Sequence, residues 1–63
     1  MLGKYKLKID RRFRCGISSF GLSAGAIVNV SQIDKEYGKV LIQFGERDSD
    51  WYSESILNDF EKV

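Results

Sequence analysis

The sequence predicts an all-β fold, a small five-stranded barrel with a long first loop and one helical turn before the last strand, occupying residues 1–63 as a single domain. Three observations carry that expectation. Tyr5, Leu7 and Ile9 alternate with Lys4, Lys6 and Lys8, the period of two of a strand with one dry and one wet face. Residues 26–33 (AIVNVSQI) and 39–44 (KVLIQF) are rich in β-branched side chains and flank a turn that ends in Gly38. Residues 53–57 (SESIL) make room for only one helical turn, too short to stand as an independent helix.

In chain order, residues 4–9 form the first strand. The alternation then dissolves over residues 10–25, where glycines at 16, 21 and 25 and serines at 18, 19 and 23 read as a long loop. Phe13, Ile17, Phe20 and Leu22 are expected to tuck back from that loop onto the body. In the hairpin that follows, Val28 and Val30 share an inner face with Val40, Ile42 and Phe44, while Asn29, Ser31 and Gln43 face water. Residues 45–50 (GERDSD) make a polar loop, and Trp51 and Tyr52 begin a short fourth strand. Adjacent strand residues point to opposite faces, so one of these two aromatics is core. Size assigns Trp51 to the inside and Tyr52 to the surface. Ser53 is a plausible cap for the helical turn, and residues 59–63 close as the fifth strand. The expected core is Leu7, Ile9, Val28, Val30, Val40, Ile42, Phe44, Trp51 and Leu57.

The order of these elements, with the runs GAIVNV, KVLIQF, WY and ILNDFE, resembles a small SH3-like β-barrel from about residue 4 to the end. The chain also looks like the small uncharacterised proteins carried by bacterial phages and conjugative elements. It lacks the ALYDY-type motif, the paired tryptophans and the proline of peptide-binding eukaryotic SH3 domains, so polyproline recognition is not implied.

At 63 residues, with 43% hydrophobic and 30% charged residues, the chain has the composition of an ordinary soluble domain. Nearly every large apolar side chain is needed for a core, which leaves little volume for a deep substrate pocket. No apolar run approaches a membrane span, and the N-terminus lacks the apolar region of a signal peptide. A single cysteine, Cys15, fits a cytoplasmic setting and is read as a small buried apolar residue. With no histidine and one cysteine there is no zinc set and no Ser-His-Asp or Cys-His arrangement, so neither an enzyme nor a cofactor is expected. The glycines of CGISSFGLSAG lack the Gly-Lys-Ser/Thr of a phosphate-binding loop. Glu46, Asp48 and Asp50 alternate like calcium ligands, but Trp51 and Leu57 stand where a calcium loop needs glycine and glutamate.

The formal net charge of +1 hides an asymmetry. Residues 1–14 carry six cations against Asp10, and residues 45–63 carry six acids against Arg47 and Lys62. If the first and last strands pair, Asp59 and Glu61 neutralise the strand-one lysines across the sheet. Arg11, Arg12 and Arg14 escape that pairing and sit beside Phe13, where guanidinium and ring together suit a phosphate backbone or an acidic protein surface. Together with Tyr37 and Tyr52 as exposed aromatics, these residues form the candidate partner-binding set. The leading function is a non-enzymatic, monomeric binding module that engages another protein. The runner-up is a nucleic-acid-binding module built on the arginines and the strand-one lysines, and a third reading is a structural subunit that oligomerises through a strand edge.

Overall fold

The computed structural model describes residues 2–46 and 48–63. The chain is all-β, with seven strands rather than five: β1 (Gly3–Leu7), β2 (Arg11–Cys15), β3 (Ser18–Leu22), β4 (Ile27–Asp34), β5 (Lys39–Gln43), β6 (Ser49–Ser53) and β7 (Phe60–Lys62), with a 3-10 helix over Glu54–Asp59. Five strands make one antiparallel sheet in the order β6-β5-β4-β1-β7, and β2 and β3 make a separate hairpin. The sheets are not closed into a barrel; among the described residues no ladder joins the hairpin to the five-stranded sheet.

β1 follows its alternation only as far as Leu7. Tyr5 and Leu7 are buried and Lys4 and Lys6 are exposed, with β4 on one side and β7 on the other. Beyond Leu7 the chain bends, so Ile9 leaves the expected core and is half exposed, at 51%. The bend is held by backbone bonds between Leu7 and both Gly25 and Ala26, and by the Asp10 carboxylate, which accepts from the Ala24 N–H at 2.8 Å.

The expected long loop is a hairpin. Cys15 pairs with Ser18, leaving Gly16 and Ile17 as a two-residue turn, and Gly16 has φ +61°. A glycine at positive φ in the first central position is the type II′ pattern, whose twist matches that of paired strands. The strand signal in this segment is weak because Arg12, Arg14, Ser19 and Gly21 fill one face and Arg11 and Ser18 dilute the other, where Phe13, Phe20 and Leu22 occupy alternate positions. Phe13 tucks in and is buried, and Phe20 and Leu22 pack against the core, but Ile17 sits at the turn fully exposed.

The β4–β5 hairpin forms at the predicted place. Asp34 accepts from the N–H groups of Glu36 and Tyr37 at 3.0 and 3.2 Å, and Gly38 takes φ +63°. The ladder slips between Val30 and Gln32. That bulge keeps Val28, Val30 and Ile33 on the inner side and leaves Gln32 exposed, which strict alternation does not achieve. Gln43 faces water as expected, whereas Asn29 and Ser31 are partly covered.

The core comprises Tyr5, Leu7, Phe13, Val28, Val30, Val40, Ile42, Ile56 and Phe60, with Phe44, Leu57 and Tyr52 partly buried against it. Trp51 is not in it. β6 turns Tyr52 inward opposite Val40 and Trp51 outward opposite Leu41, where Trp51 remains 42% exposed. The 3-10 helix contributes Ile56 to the core, and Ser53 makes no capping bond to it. The Ser53 hydroxyl instead meets that of Ser55 at 3.1 Å, and the Glu54 N–H is taken by the Gly38 carbonyl.

Candidate interaction surface

The β2–β3 hairpin lies over the inner face of the five-stranded sheet with Phe13 at its centre. The Phe13 ring has its centroid 5.1 Å from that of Phe44, 6.0 Å from Phe60 and 6.2 Å from both Phe20 and Tyr52. Tilted and edge-on contacts of this kind add to the burial of each ring. Phe13 therefore belongs to the core, as its tucking back onto the body implied, and its ring is not open to a partner as the candidate binding set required.

Around the aromatic centre, polar bonds fix the hairpin's rim. The Tyr52 hydroxyl donates to the Arg14 carbonyl at 2.5 Å, the Gly16 N–H donates to Asp50 Oδ2 at 3.0 Å, and the Cys15 thiol lies 3.5 Å from the Ser49 carbonyl. At the other end, Arg11 Nη1 donates to Asp59 Oδ2 at 2.5 Å. These contacts perturb titration in readable directions. Two N–H donors, Gly16 and Trp51, hold the Asp50 carboxyl below its usual range. Burial first, and then the neighbouring negative charge of Cys15 and Asp50, pushes the Tyr52 phenol up to about 12. Cys15 is half-buried, and burial followed by the Asp50 and Asp48 carboxylates raises its thiol pKa.

The three arginines divide by strand alternation. Arg11 shares the inner side of β2 with Phe13; its guanidinium lies 5.2 Å from the Phe13 ring centroid and is ion-paired to Asp59. Far from escaping the acidic C-terminal segment, Arg11 is paired by it. Arg12 and Arg14 occupy the outer side and are exposed. Arg12 lies opposite Gly21, and its guanidinium reaches across β3 to the Ser19 hydroxyl at 2.9 Å. The strand-one lysines behave as expected at Lys6, which pairs with Glu61 at 3.3 Å where β1 and β7 lie side by side.

Of the candidate partner-binding residues, the structure leaves Arg12 and Arg14 together on one outer face. Tyr37 is exposed on the separate β4–β5 turn, and Tyr52 is spent on seating the hairpin. Ile17 joins the exposed set from the hairpin tip. The legible signal for it was the Gly16-Ile17 pair between the alternating runs RRFRC and SSFGL. An open groove of about 610 Å3 is lined by Ile33, Lys35, Val40, Glu54 and Leu57, among others.

Among the described residues no group of three metal-ligating side chains gathers, and no helix is long and apolar enough to cross a membrane. Asp50, the best placed of the three loop acids, engages both its carboxylate oxygens with N–H groups. No family model, no curated protein and no solved structure matches the chain.

Proposed function

We propose that this chain is a non-enzymatic binding module that engages another protein through the β2–β3 hairpin. The observation that carries the reading is the division of labour within that hairpin. Its inner side is committed to the core, whereas its outer side and tip present Arg12, Arg14 and a fully exposed Ile17 on a backbone held at both ends. A seated hairpin has little conformational entropy to lose on binding, and an exposed aliphatic tip on the same hairpin as two exposed arginines suits a protein surface. The residues best placed for chemistry are occupied structurally: the Cys15 thiol lies against the Ser49 carbonyl, Asp50 accepts two N–H bonds, and the Tyr52 hydroxyl donates to the Arg14 carbonyl.

An SH3-like reading of the architecture is supported by the strand order, by the long excursion between the first two sheet strands and by the 3-10 helix before the last. A cytoplasmic setting agrees with the free Cys15. Nucleic-acid binding is the second reading, favoured by Arg12 and Arg14, but Arg11 and Lys6 already have carboxylate partners within the chain.

Affinity capture from the native host, with and without nuclease, separates the two. Protein capture that survives nuclease and is lost in Ile17→Ser and in Arg12→Glu/Arg14→Glu is the expected result. Capture abolished by nuclease, with submicromolar affinity for nucleic acid at physiological salt, sinks the protein-binding reading.

A further inference from the structure

Among the described residues the two sheets have four outer edges, those of β6, β7, β2 and β3, and they are treated differently; on β2 the Arg14 carbonyl already accepts from the Tyr52 hydroxyl. β6 is obstructed: the Asp50 carboxylate occupies the Trp51 N–H at 2.7 Å, and the Cys15 thiol approaches the Ser49 carbonyl. β7 is only three residues long and carries Glu61 and Lys62. Short length and charge are ordinary ways of protecting an edge.

β3 has neither protection. In a hairpin closed by a two-residue turn, the residues flanking the turn exchange backbone bonds and every second pair thereafter does the same. Cys15 and Ser18 are such a pair, as are Phe13 with Phe20 and Arg11 with Leu22. The intervening residues Arg14 and Arg12 on β2, and Ser19 and Gly21 on β3, therefore point their backbone groups away from the hairpin. The Arg14 carbonyl bears this out independently by accepting from Tyr52. Among the described residues, the N–H and C=O groups of Ser19 and Gly21 have no partner. No proline, lysine or bulge interrupts β3.

We propose that β3 accepts an added strand from a protein partner, pairing with Ser19 and Gly21, and that the partner segment alternates acidic with apolar residues. The proposal rests on the reading of the chain as a protein-binding module and names the chemistry of what it binds. The alternation follows from the two faces that flank the edge. On the inner side the incoming strand meets the half-buried Phe20 and Leu22. On the outer side the two β3 side chains are only a hydroxymethyl group and a hydrogen, so guanidinium groups from β2 can lean across them. Arg12 already does so, bonding the Ser19 hydroxyl from the far strand. Strands are spaced about 4.8 Å apart, which puts carboxylates on an added strand within reach of such extended side chains. Charge complementarity thus selects acids on the outer positions and leaves apolar residues for the inner ones.

The test uses a synthetic peptide alternating glutamate with valine, its lysine–valine counterpart, and the glutamate–valine peptide N-methylated on one or the other alternate set of residues. Titrated into the whole protein and followed by amide hydrogen exchange, the acidic peptide should protect Ser19 and Gly21, and the basic one should not. N-methylation of the set facing β3 should abolish protection, while the other set should retain it. Arg12→Glu/Arg14→Glu should reverse the preference between the two peptides by about tenfold, the size expected of a pair of cross-strand charge contacts. Binding that leaves the Ser19 and Gly21 amides unprotected, or that ignores the charge reversal, overturns the proposal. So does concentration-dependent self-association that protects these amides, which makes a second copy the occupant. Nuclease-resistant capture sensitive to Ile17→Ser, with no peptide protection of β3, leaves the module reading standing and removes strand addition alone.

Discussion

The five-stranded sheet and the β2–β3 hairpin are held by different physics. On the sheet's inner face lies an aliphatic layer, with Leu7, Val30, Val40 and Ile42 each at most 1% exposed, and every strand has a hydrogen-bonded neighbour. The hairpin is held by one buried ring, Phe13, by the partly buried Phe20 and Leu22, and by a few polar bonds at its rim. Apolar burial responds little to pH or salt, whereas carboxylate, phenol and guanidinium bonds respond to both. Sheet integrity is therefore a matter of packing, and the pose of the hairpin is a matter of solution conditions as well. On the proposal that the hairpin is the interaction surface, binding is expected to be conditional where folding is not.

The strongest challenge to this contrast is truncation on either side of the interface. Ile42→Ala should cost about 2 to 5 kcal/mol and unfold the domain globally, since a chain of this size has about 3 to 5 kcal/mol in all. Phe13→Ala should cost about 3 to 5 kcal/mol as well, but in stabilising sulfate its exchange pattern should differ. The cross-bonded hairpin amides of Arg11, Phe13, Cys15, Ser18, Phe20 and Leu22 should lose protection while the bonded amides of β4 and β5 keep theirs. Uniform loss in both variants would make sheet and hairpin one cooperative unit. Phe44→Ala should cost less than Phe13→Ala, because Phe44 is only partly buried.

A smaller effect is expected at Tyr52. Removing its hydroxyl in Tyr52→Phe deletes the bond to the Arg14 carbonyl, worth about 1 kcal/mol. The phenol's folded value of about 12 lies above the ordinary 10.0. Its contribution is therefore complete below pH 10 and is lost as pH rises towards 12, where the unfolded chain ionises first. Thermal melts across that interval should decline in the wild type and decline less in Tyr52→Phe. Parallel curves would show that the partly buried Tyr52 phenol does not govern the alkaline limb.

Asp50 should govern part of the acid limb. Its carboxyl is held below the ordinary 3.8, so its contribution is present above that value and is lost as pH falls through the lower folded one. Exchange of the Gly16 amide, the donor to Asp50, should accelerate on acidification relative to neighbouring amides, and Asp50→Asn should abolish the difference. Least of all should happen at the sheet's own exposed ion pair: Lys6→Ala, which unpairs Glu61, should change stability by at most about 0.5 kcal/mol. A larger loss, measured by urea melts, would show the sheet to depend on charge after all.

The β4–β5 hairpin was legible because three signals coincided there: β-branched alternation, the Asp34 turn and Gly38. Pairing of β1 with β7 was legible from charge, and Lys6 opposite Glu61 bears it out. The candidate site was legible only in fragments. RRFRC gave the arginines but not their division, because alternation has no meaning until the segment is known to be a strand. Once it is one, Arg11 and Phe13 fall on the inner side and Arg12 and Arg14 on the outer. The type II′ turn at Gly16-Ile17 was hidden among other glycines and serines that would serve a loop equally well.

Trp51 and Tyr52 mark the boundary between what sequence and tertiary structure decide. Sequence determined that these neighbours face opposite ways, because strand geometry allows nothing else. It did not determine which one faces in. Hydrophobic size favoured Trp51, but the inner side of β6 is where the β2–β3 hairpin docks. There a ring must pack against Phe13 and Phe44 while a polar group at its tip meets the Arg14 carbonyl, and Tyr52 supplies both. Leu7, Val28, Val30, Val40 and Ile42 were fixed by local periodicity because each strand repeats one choice of face along its length. The aromatic choice depended on a chain segment some 38 positions away, a contact that local spacing does not encode.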